Sequence, residues 1–495
     1  MRLSRFRVLV PGTTVHAFRD LEVRAVQCNS AEVRPGDLFV ALRGARHDGH
    51  DWIADALRRG AVAVAAERAV ALPDQVPLLV VPDGRLFVAR AAAAAHGHPA
   101  RSLTVAGITG TNGKTTTAFL LRAILEEAGI GTALLGTVHY QIGDRVLPSP
   151  NTTPGPVDLQ RLLAEALDAG SRAAVLEVSS HALVQRRVEG LPFRVGIFTN
   201  LSHEHLDYHR TLEEYTRAKA LLFETLAPDA AAILNADDPV SERYRRLTRA
   251  RVLTFGLGDG CDVSARIEEA SLGGSAFRMT SSRGLRAVRT SLIGPWNVRN
   301  CLAAAAAALS LDVPLDVVVA GLERVRGVPG RAEPVQEGQP FPVLVDYAHT
   351  PAALESLLRG LRPLVAGRLH LVFGCGGDRD REKRPVMGRV ACAWADRVVV
   401  TSDNPRSEDP SAILEEIRKG MTASHRPVVE PDRMTAIVQA VSEAREGDLV
   451  LIAGKGHENR QFLRDTVIPF DDREAARQAL RMRFGPEPMV RAGAA

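Results

Sequence analysis

The run GITGTNGKTTT, residues 107–117, sets glycines, one lysine and a series of hydroxyls on a turn between an apolar stretch and a helical one. Backbone amides of such a turn, with the positive end of the following helix, cradle phosphates. A lysine there reaches the terminal phosphates and a threonine hydroxyl holds magnesium. Lys114 and Thr115 stand at those two positions. The spacing departs from the usual G-x-x-x-x-G-K-[ST], because Ile108 occupies the first glycine's place and the glycine falls at 107. A phosphate loop also calls for an acid at the end of a neighbouring strand, and Glu177 in AAVLEV (173–178) supplies one. A glutamate buried there needs an ion or a basic partner. None of the lysines follows an asparagine, so the N-K-x-D signature of guanine-selective loops is missing.

A second dense cluster is TNLSHEHLDYH (199–209), with His203, Glu204, His205, Asp207 and His209. Such a group can ligate a metal, although imidazole suits magnesium poorly. It can equally be a loop whose polar residues bond one another, and both readings stay open. Ten residues beyond His209, Lys219 lies in EEYTRAKALLF, an amphipathic helical run whose other charges are arginine or glutamate. That lysine is notable because the chain's 62 basic residues include only five lysines, at 114, 219, 383, 419 and 455. A position that keeps lysine in so arginine-rich a chain is a candidate for a compact point charge or a deprotonatable amine.

The elements that must position these residues follow from length and pattern. At roughly 100–200 residues per domain, 495 residues predict about three domains. Residues 1–101 alternate apolar runs (DLFVAL, AVAVAAE, PLLVV) with helical ones, as a small α/β domain would. Residues 102–330 open with the buried-strand pattern LTVAGIT and continue with alternating β and α segments. From GVPGRAEPV onward, residues 331–495 repeat a βαβ rhythm through PVLVDYAHT, RLHLVFGCGG, DRVVVTSD and DLVLIAGKG, which predicts a parallel sheet with ligand groups at the carboxyl ends of its strands. The alanine run before Leu309 reads as packing. Five scattered cysteines with no C-x-x-C argue against disulfides and zinc, and a net charge of +4 is too small to imply nucleic acid. The N-terminus lacks a signal-peptide pattern and no apolar run is long enough for a membrane helix, so a cytoplasmic protein without membrane insertion is expected, and a monomer.

Taken together, TGTNGKTT, NTTP (151–154), EVSSHAL (177–183), NLSHEHLDYH, GPWNVRNCLAA (294–304), PGRAEPV (329–335), VDYAHTP (345–351), DNPR (403–406) and GKGHE (454–458) resemble the Mur ligases, and within them the branch that adds 2,6-diaminopimelate. The resemblance runs from about residue 28 to 458 in the family's order. It implies a small uridine-nucleotide-binding domain, a central P-loop ATPase-like domain with a parallel sheet, and a C-terminal Rossmann-like domain. It also implies ATP-dependent amide formation through an acyl phosphate, in peptidoglycan precursor synthesis, with Mg²⁺, ATP, UDP-MurNAc-L-Ala-D-Glu and meso-diaminopimelate as small-molecule partners. By position it assigns Gly110, Thr111, Asn112, Gly113, Lys114, Thr115, Thr116, Asn300, Arg331 and Asp346 to ATP, and Thr115, Glu177, His205 and a carbamylated Lys219 to the metal. Ser30 and the segment from Ala45 to His47 fall to the uridine nucleotide, and Asn151, Thr152, Thr153, Ser179, Gln185 and Arg187 to the muramoyl dipeptide it carries. Arg379, Asp403, Asn404, Pro405, Arg406, Gly454 and Glu458 fall to diaminopimelate. Where the family has D-S-R, this chain reads Asn29-Ser30-Ala31. The lysine-adding branch, folylpolyglutamate synthase and a non-catalytic nucleotide-binding module remain as alternatives.

Overall fold

The computed structural model describes residues 1–44, 47–202, 204, 206–422 and 427–485. Among them the chain forms three α/β layers, each built on its own sheet. The first sheet runs through Thr14–His16, Leu78–Val80, Ala63–Ala66, Leu38–Ala41 and Val26–Gln27, and only the first pair is antiparallel. Leu38–Ala41 and Ala63–Ala66 are buried throughout, as continuous apolar strands covered on both faces should be.

The central sheet places Arg251–Gly256, Ala231–Asn235, Phe193–Phe198, Thr104–Thr109, Ala173–Glu177 and Thr132–Leu135 side by side and parallel. The glycine-rich turn leaves the carboxyl end of Thr104–Thr109, between Phe193–Phe198 and Ala173–Glu177, so both neighbouring strands deliver side chains to it. An antiparallel meander, Val263–Ser271, Gly274–Ser281 and Gly284–Thr290, extends one edge, and the hairpin His139–Ile142/Arg145–Pro148 extends the other. Helix Lys114–Glu127 packs beneath helices Pro295–Ser310 and Leu315–Arg324. Ala303 to Ala308 are fully buried there, which makes the alanine run a packing surface. Gly321 permits that approach: a Cβ at this position would lie 2.5 Å from the Ile124 Cα.

The third sheet orders Glu333–Val335, Val343–Asp346, Leu449–Ala453, Leu369–Phe373, Arg397–Val400 and Val428–Val429, with only the first pair antiparallel. Helices Pro351–Leu361, Lys383–Trp394 and Pro410–Arg418 cover one face, and Arg433–Glu443 with Asp472–Phe484 cover the other. Thr350 and Asp409 each cap a helix that begins with proline. No helix among the described residues is long and apolar enough to cross a membrane.

Candidate active site

The phosphate loop is shaped by two glycines at which any side chain would be strained. Gly110 has φ +147° and a Cβ on it would lie 1.9 Å from the Thr199 hydroxyl; Gly113 has φ +86° and a Cβ would lie 2.4 Å from Asn300 Oδ1. Lys114 opens the helix and donates to the loop's own carbonyls, Gly110 O at 2.9 Å and Thr111 O at 2.8 Å. Gly107, one place before the usual position, belongs to the strand, where the Phe193 ring leaves no room for a side chain.

Glu177 ends its strand 1% exposed. Its Oε2 accepts from the Thr115 hydroxyl (3.0 Å) and the Thr137 hydroxyl (2.9 Å), and its Oε1 from the Thr137 amide (2.8 Å). Arg331 Nη2 donates to the same Thr115 hydroxyl at 3.0 Å, so the basic partner reaches the carboxylate through one hydroxyl. Asp346 accepts from the Ala332 and Ala348 amides, both at 2.7 Å, and fastens the linker to the third sheet; burial raises its pKa. Asn300, Arg331 and Asp346 line one cavity of about 530 Å³ together with Thr111 to Thr116 and Glu177. The Thr115 hydroxyl and the Glu177 carboxylate are hard oxygen donors 3.0 Å apart, a donor set that fits Mg²⁺.

Helix Leu212–Glu224 is started by Thr211, whose hydroxyl accepts from the Glu214 amide. Its buried face carries Lys219, 1% exposed, whose Nζ donates to Gly110 O at 2.9 Å and lies 4.3 Å from the Tyr215 ring. Lys114 and Lys219 therefore share one carbonyl. Burial and the neighbouring Lys114 cation hold the Lys219 pKa well below the ordinary lysine range, favouring the neutral amine. Of the histidine cluster, His209 is buried and bonds Ser180 Oγ at 2.9 Å, a contact between protein groups. His203 and His205 lie outside the described residues, as do Ala45 and Arg46, and no side-chain description covers Asp207. Among the described residues no three of His, Cys, Asp and Glu cluster as a ligand set.

A second cavity, of about 540 Å³, lies between the first and central layers and is lined by Ser30, His47, Gln185 and Arg187. Asn29, in place of the family's acid, caps the turn Ser30–Glu32 by accepting from the Ala31 amide at 3.1 Å. Ala31 offers its carbonyl to Arg59 Nη1 at 3.5 Å. From this cavity a polar track leads to the first. Arg187 bonds Gln185 Oε1 and Thr153 O; the Thr153 hydroxyl bonds Glu177 O at 2.8 Å and Ser179 Oγ at 3.3 Å; the Thr152 hydroxyl meets that of Thr137 at 3.1 Å. Asn151 joins the track through its carbonyl, which accepts from Tyr140 and Ser149.

In the third layer the remaining residues meet at the carboxyl ends of three strands. Glu458 Oε2 accepts from Asn404 Nδ2 (2.8 Å) and faces Lys455 Nζ (3.4 Å), and Tyr347 Oη reaches Glu458 Oε1 at 3.5 Å. Gly454 passes so close to Asp403 that a Cβ would lie 2.7 Å from its carboxylate. Arg406, beside Pro405, donates to Gly377 O at 2.7 Å; burial and the nearby Arg379 lower its pKa. The Arg406 guanidinium thus stands near two carboxylates, Asp403 and Glu458, with Arg379 beside it. Tyr347 lies inside VDYAHTP but carried no role of its own in the sequence, and Thr137 and Tyr215 are recognisable only through their neighbours Glu177 and Lys219.

Three family models account for most of the chain: the Mur ligase family catalytic domain over residues 22–107, the Mur ligase middle domain over 108–308, and the Mur ligase glutamate ligase domain over 330–456. The chain belongs to the Mur ligase family. One Mur ligase similar to it is the UDP-N-acetylmuramoyl-L-alanyl-D-glutamate–2,6-diaminopimelate ligase of Geobacillus kaustophilus, 46% identical over 98% of this chain and 100% of that protein. The ligase of the same name from Listeria monocytogenes is 42% identical over 98% and 100%. A solved structure of a ligase of that name covers 93% of this chain and 95% of its own at 34% identity, with a TM-score of 0.67. The ADP complex of the MurF ligase from Thermotoga maritima, 22% identical, shares the Mur ligase fold with a TM-score of 0.63 over 94% of this chain and 98% of its own.

Proposed function

We propose that this Mur ligase couples ATP to amide formation, joining 2,6-diaminopimelate to the D-glutamate of UDP-N-acetylmuramoyl-L-alanyl-D-glutamate and releasing ADP and phosphate. The observation that carries this reading is the polar track from Arg187 through Thr153 to Glu177. It gives a UDP-linked dipeptide held in the second cavity a route that ends beside the phosphate loop.

An oxygen of the glutamate side-chain carboxylate attacks the γ-phosphorus, ADP leaves, and an acyl phosphate forms. The diaminopimelate amine then attacks the acyl carbon, loses its proton, and phosphate departs as the amide forms. Lys114 and the loop amides hold the β- and γ-phosphates, and Arg331, arriving from the third layer, adds positive charge at Thr115. Asn300 and Asp346 complete the ATP site. Thr115, Glu177 and, by the family resemblance, His205 would hold Mg²⁺, which neutralises charge on the transferring phosphate. Lys219, held toward the neutral amine, can add CO₂ through its nitrogen and release a proton to give a carbamate, an anion that arginine cannot provide. At the amine end, Arg406 and Arg379 take the distal carboxylate of diaminopimelate, and Glu458 with Asp403 takes the distal ammonium. Lysine lacks that carboxylate and leaves the guanidinium groups unpaired.

Labelling the substrate's glutamate side-chain carboxylate with heavy oxygen tests the route. The acyl-phosphate pathway moves one labelled oxygen into the released phosphate; unlabelled phosphate would rule it out.

A further inference from the structure

The two bulkiest fully buried side chains in the third layer are arginines, Arg384 and Arg433, and among the described residues no other arginine is buried outright. Arg433 opens helix Arg433–Glu443 and Asp472 opens helix Asp472–Phe484, and the two residues are 1% and 0% exposed. Their pairing is bidentate: Nε to Oδ1 and Nη2 to Oδ2, both 2.7 Å. The guanidinium has donors to spare. Nη1 donates to Ser402 O at 3.2 Å and Nη2 to Ala453 O at 3.0 Å.

Ser402 immediately precedes Asp403-Asn404-Pro405-Arg406, and Ala453 immediately precedes Gly454 and the loop that ends in Glu458. The strands feeding these loops, Arg397–Val400 and Leu449–Ala453, are not neighbours, because Leu369–Phe373 lies between them. No ladder can fix one loop against the other. The planar guanidinium spans the gap and Asp472 holds its plane. An apolar pair of equal volume could fill the space but would leave two strand-end carbonyls without donors.

We infer that Arg433 and Asp472 are positioning residues for the amino-acid substrate, setting the spacing between the Asp403–Arg406 and Gly454–Glu458 loops. The inference rests on the reaction proposed above, in which those loops bind diaminopimelate. The pair is buried beneath these loops, at 1% and 0% exposed, and does not line the phosphate-loop cavity, so its effect falls on one substrate of three.

Arg433→Lys keeps the charge but loses the fork, and Asp472→Asn keeps the shape but loses the charge. In both variants the KM for diaminopimelate rises about tenfold or more, while the KM values for ATP and the UDP-linked dipeptide stay within about twofold. Amide hydrogen exchange, which needs no turnover, accelerates at residues 403–406 and 454–458 and stays slow in the strand interiors. Equal KM changes for all three substrates with exchange unaltered would overturn the inference. Failure of both conservative variants to fold would also overturn it, assigning the pair to global stability. A wild-type enzyme inactive with diaminopimelate would instead remove the proposed reaction, while the exchange pattern would still report whether the pair sets the loops.

Discussion

Lysine is rare in this chain because arginine can serve wherever only charge is needed, and the five exceptions separate by environment. Lys114 and Lys219 converge on Gly110 O, Lys455 is fully buried against Asn404 and Glu458, Lys383 donates to His349 O at 2.9 Å, and Lys419 is an exposed cation at the end of helix Pro410–Arg418. Burial of Lys219 away from water, and next to it the Lys114 cation on the same carbonyl, hold the Lys219 pKa well below the ordinary lysine range. Lys219→Ala should lower the rate of phosphate release by about a hundredfold or more, with partial recovery on adding acetate or another small carboxylate. Full activity without rescue would remove the carbamate from the account. Arg406→Lys replaces a planar fork with a point charge. It should lose most diaminopimelate turnover while ATP binding, followed by calorimetry, is unchanged. Lys114 and Thr115 were legible in the sequence because a phosphate loop is a local pattern, and Glu177 because it ends an apolar run as a strand-end acid. Arg384 and Arg433 were not, since an arginine's burial depends on elements far away in the chain.

At the scale of elements, the site is held by contacts between helix ends and strand ends. Arg384 bonds both carboxylate oxygens of Glu408 and reaches Glu416 and Gly376 O, while the Asp378 amide also donates to Glu408. This knot fixes the loop that carries Arg379. The Arg384 guanidinium holds the Glu408 pKa down at about 2. A depressed carboxylate pKa stabilises the fold above the group's ordinary value of 4.5 and loses that contribution as pH falls toward 2. Melting temperature should therefore fall between pH 5 and pH 3 more steeply in the wild type than in Glu408→Gln; parallel curves would show that the pair contributes nothing. Beneath the phosphate loop, Gly321→Val drives a side chain into the backbone of helix Lys114–Glu127 and should cost about 1–3 kcal/mol in chemical denaturation. The buried parallel strands were readable as continuous apolar runs. The Val263–Thr290 meander was not, because its outward face is polar and its pairing only extends an edge.

Across the whole molecule, the proposed reaction draws on three layers: the second cavity between the first and central layers, the phosphate loop of the central layer, and the Arg406–Glu458 loops of the third. Their order along the chain was legible because each motif ends a strand in a βαβ rhythm. Their convergence was not, since the contact of Arg331 with Thr115 joins residues on different layers and leaves no periodic trace. The departure at Asn29 and Ala31 is absorbed locally, by a turn cap and a carbonyl contact, without altering the architecture. The central claim is that this architecture joins diaminopimelate, rather than another amine, to the UDP-linked dipeptide. Phosphate release from ATP, measured with UDP-N-acetylmuramoyl-L-alanyl-D-glutamate and meso-diaminopimelate, L-lysine or no amino acid, tests it most directly. Release that depends on diaminopimelate is the predicted result; release that is as fast with lysine, or that requires a folate in place of the dipeptide, would contradict it.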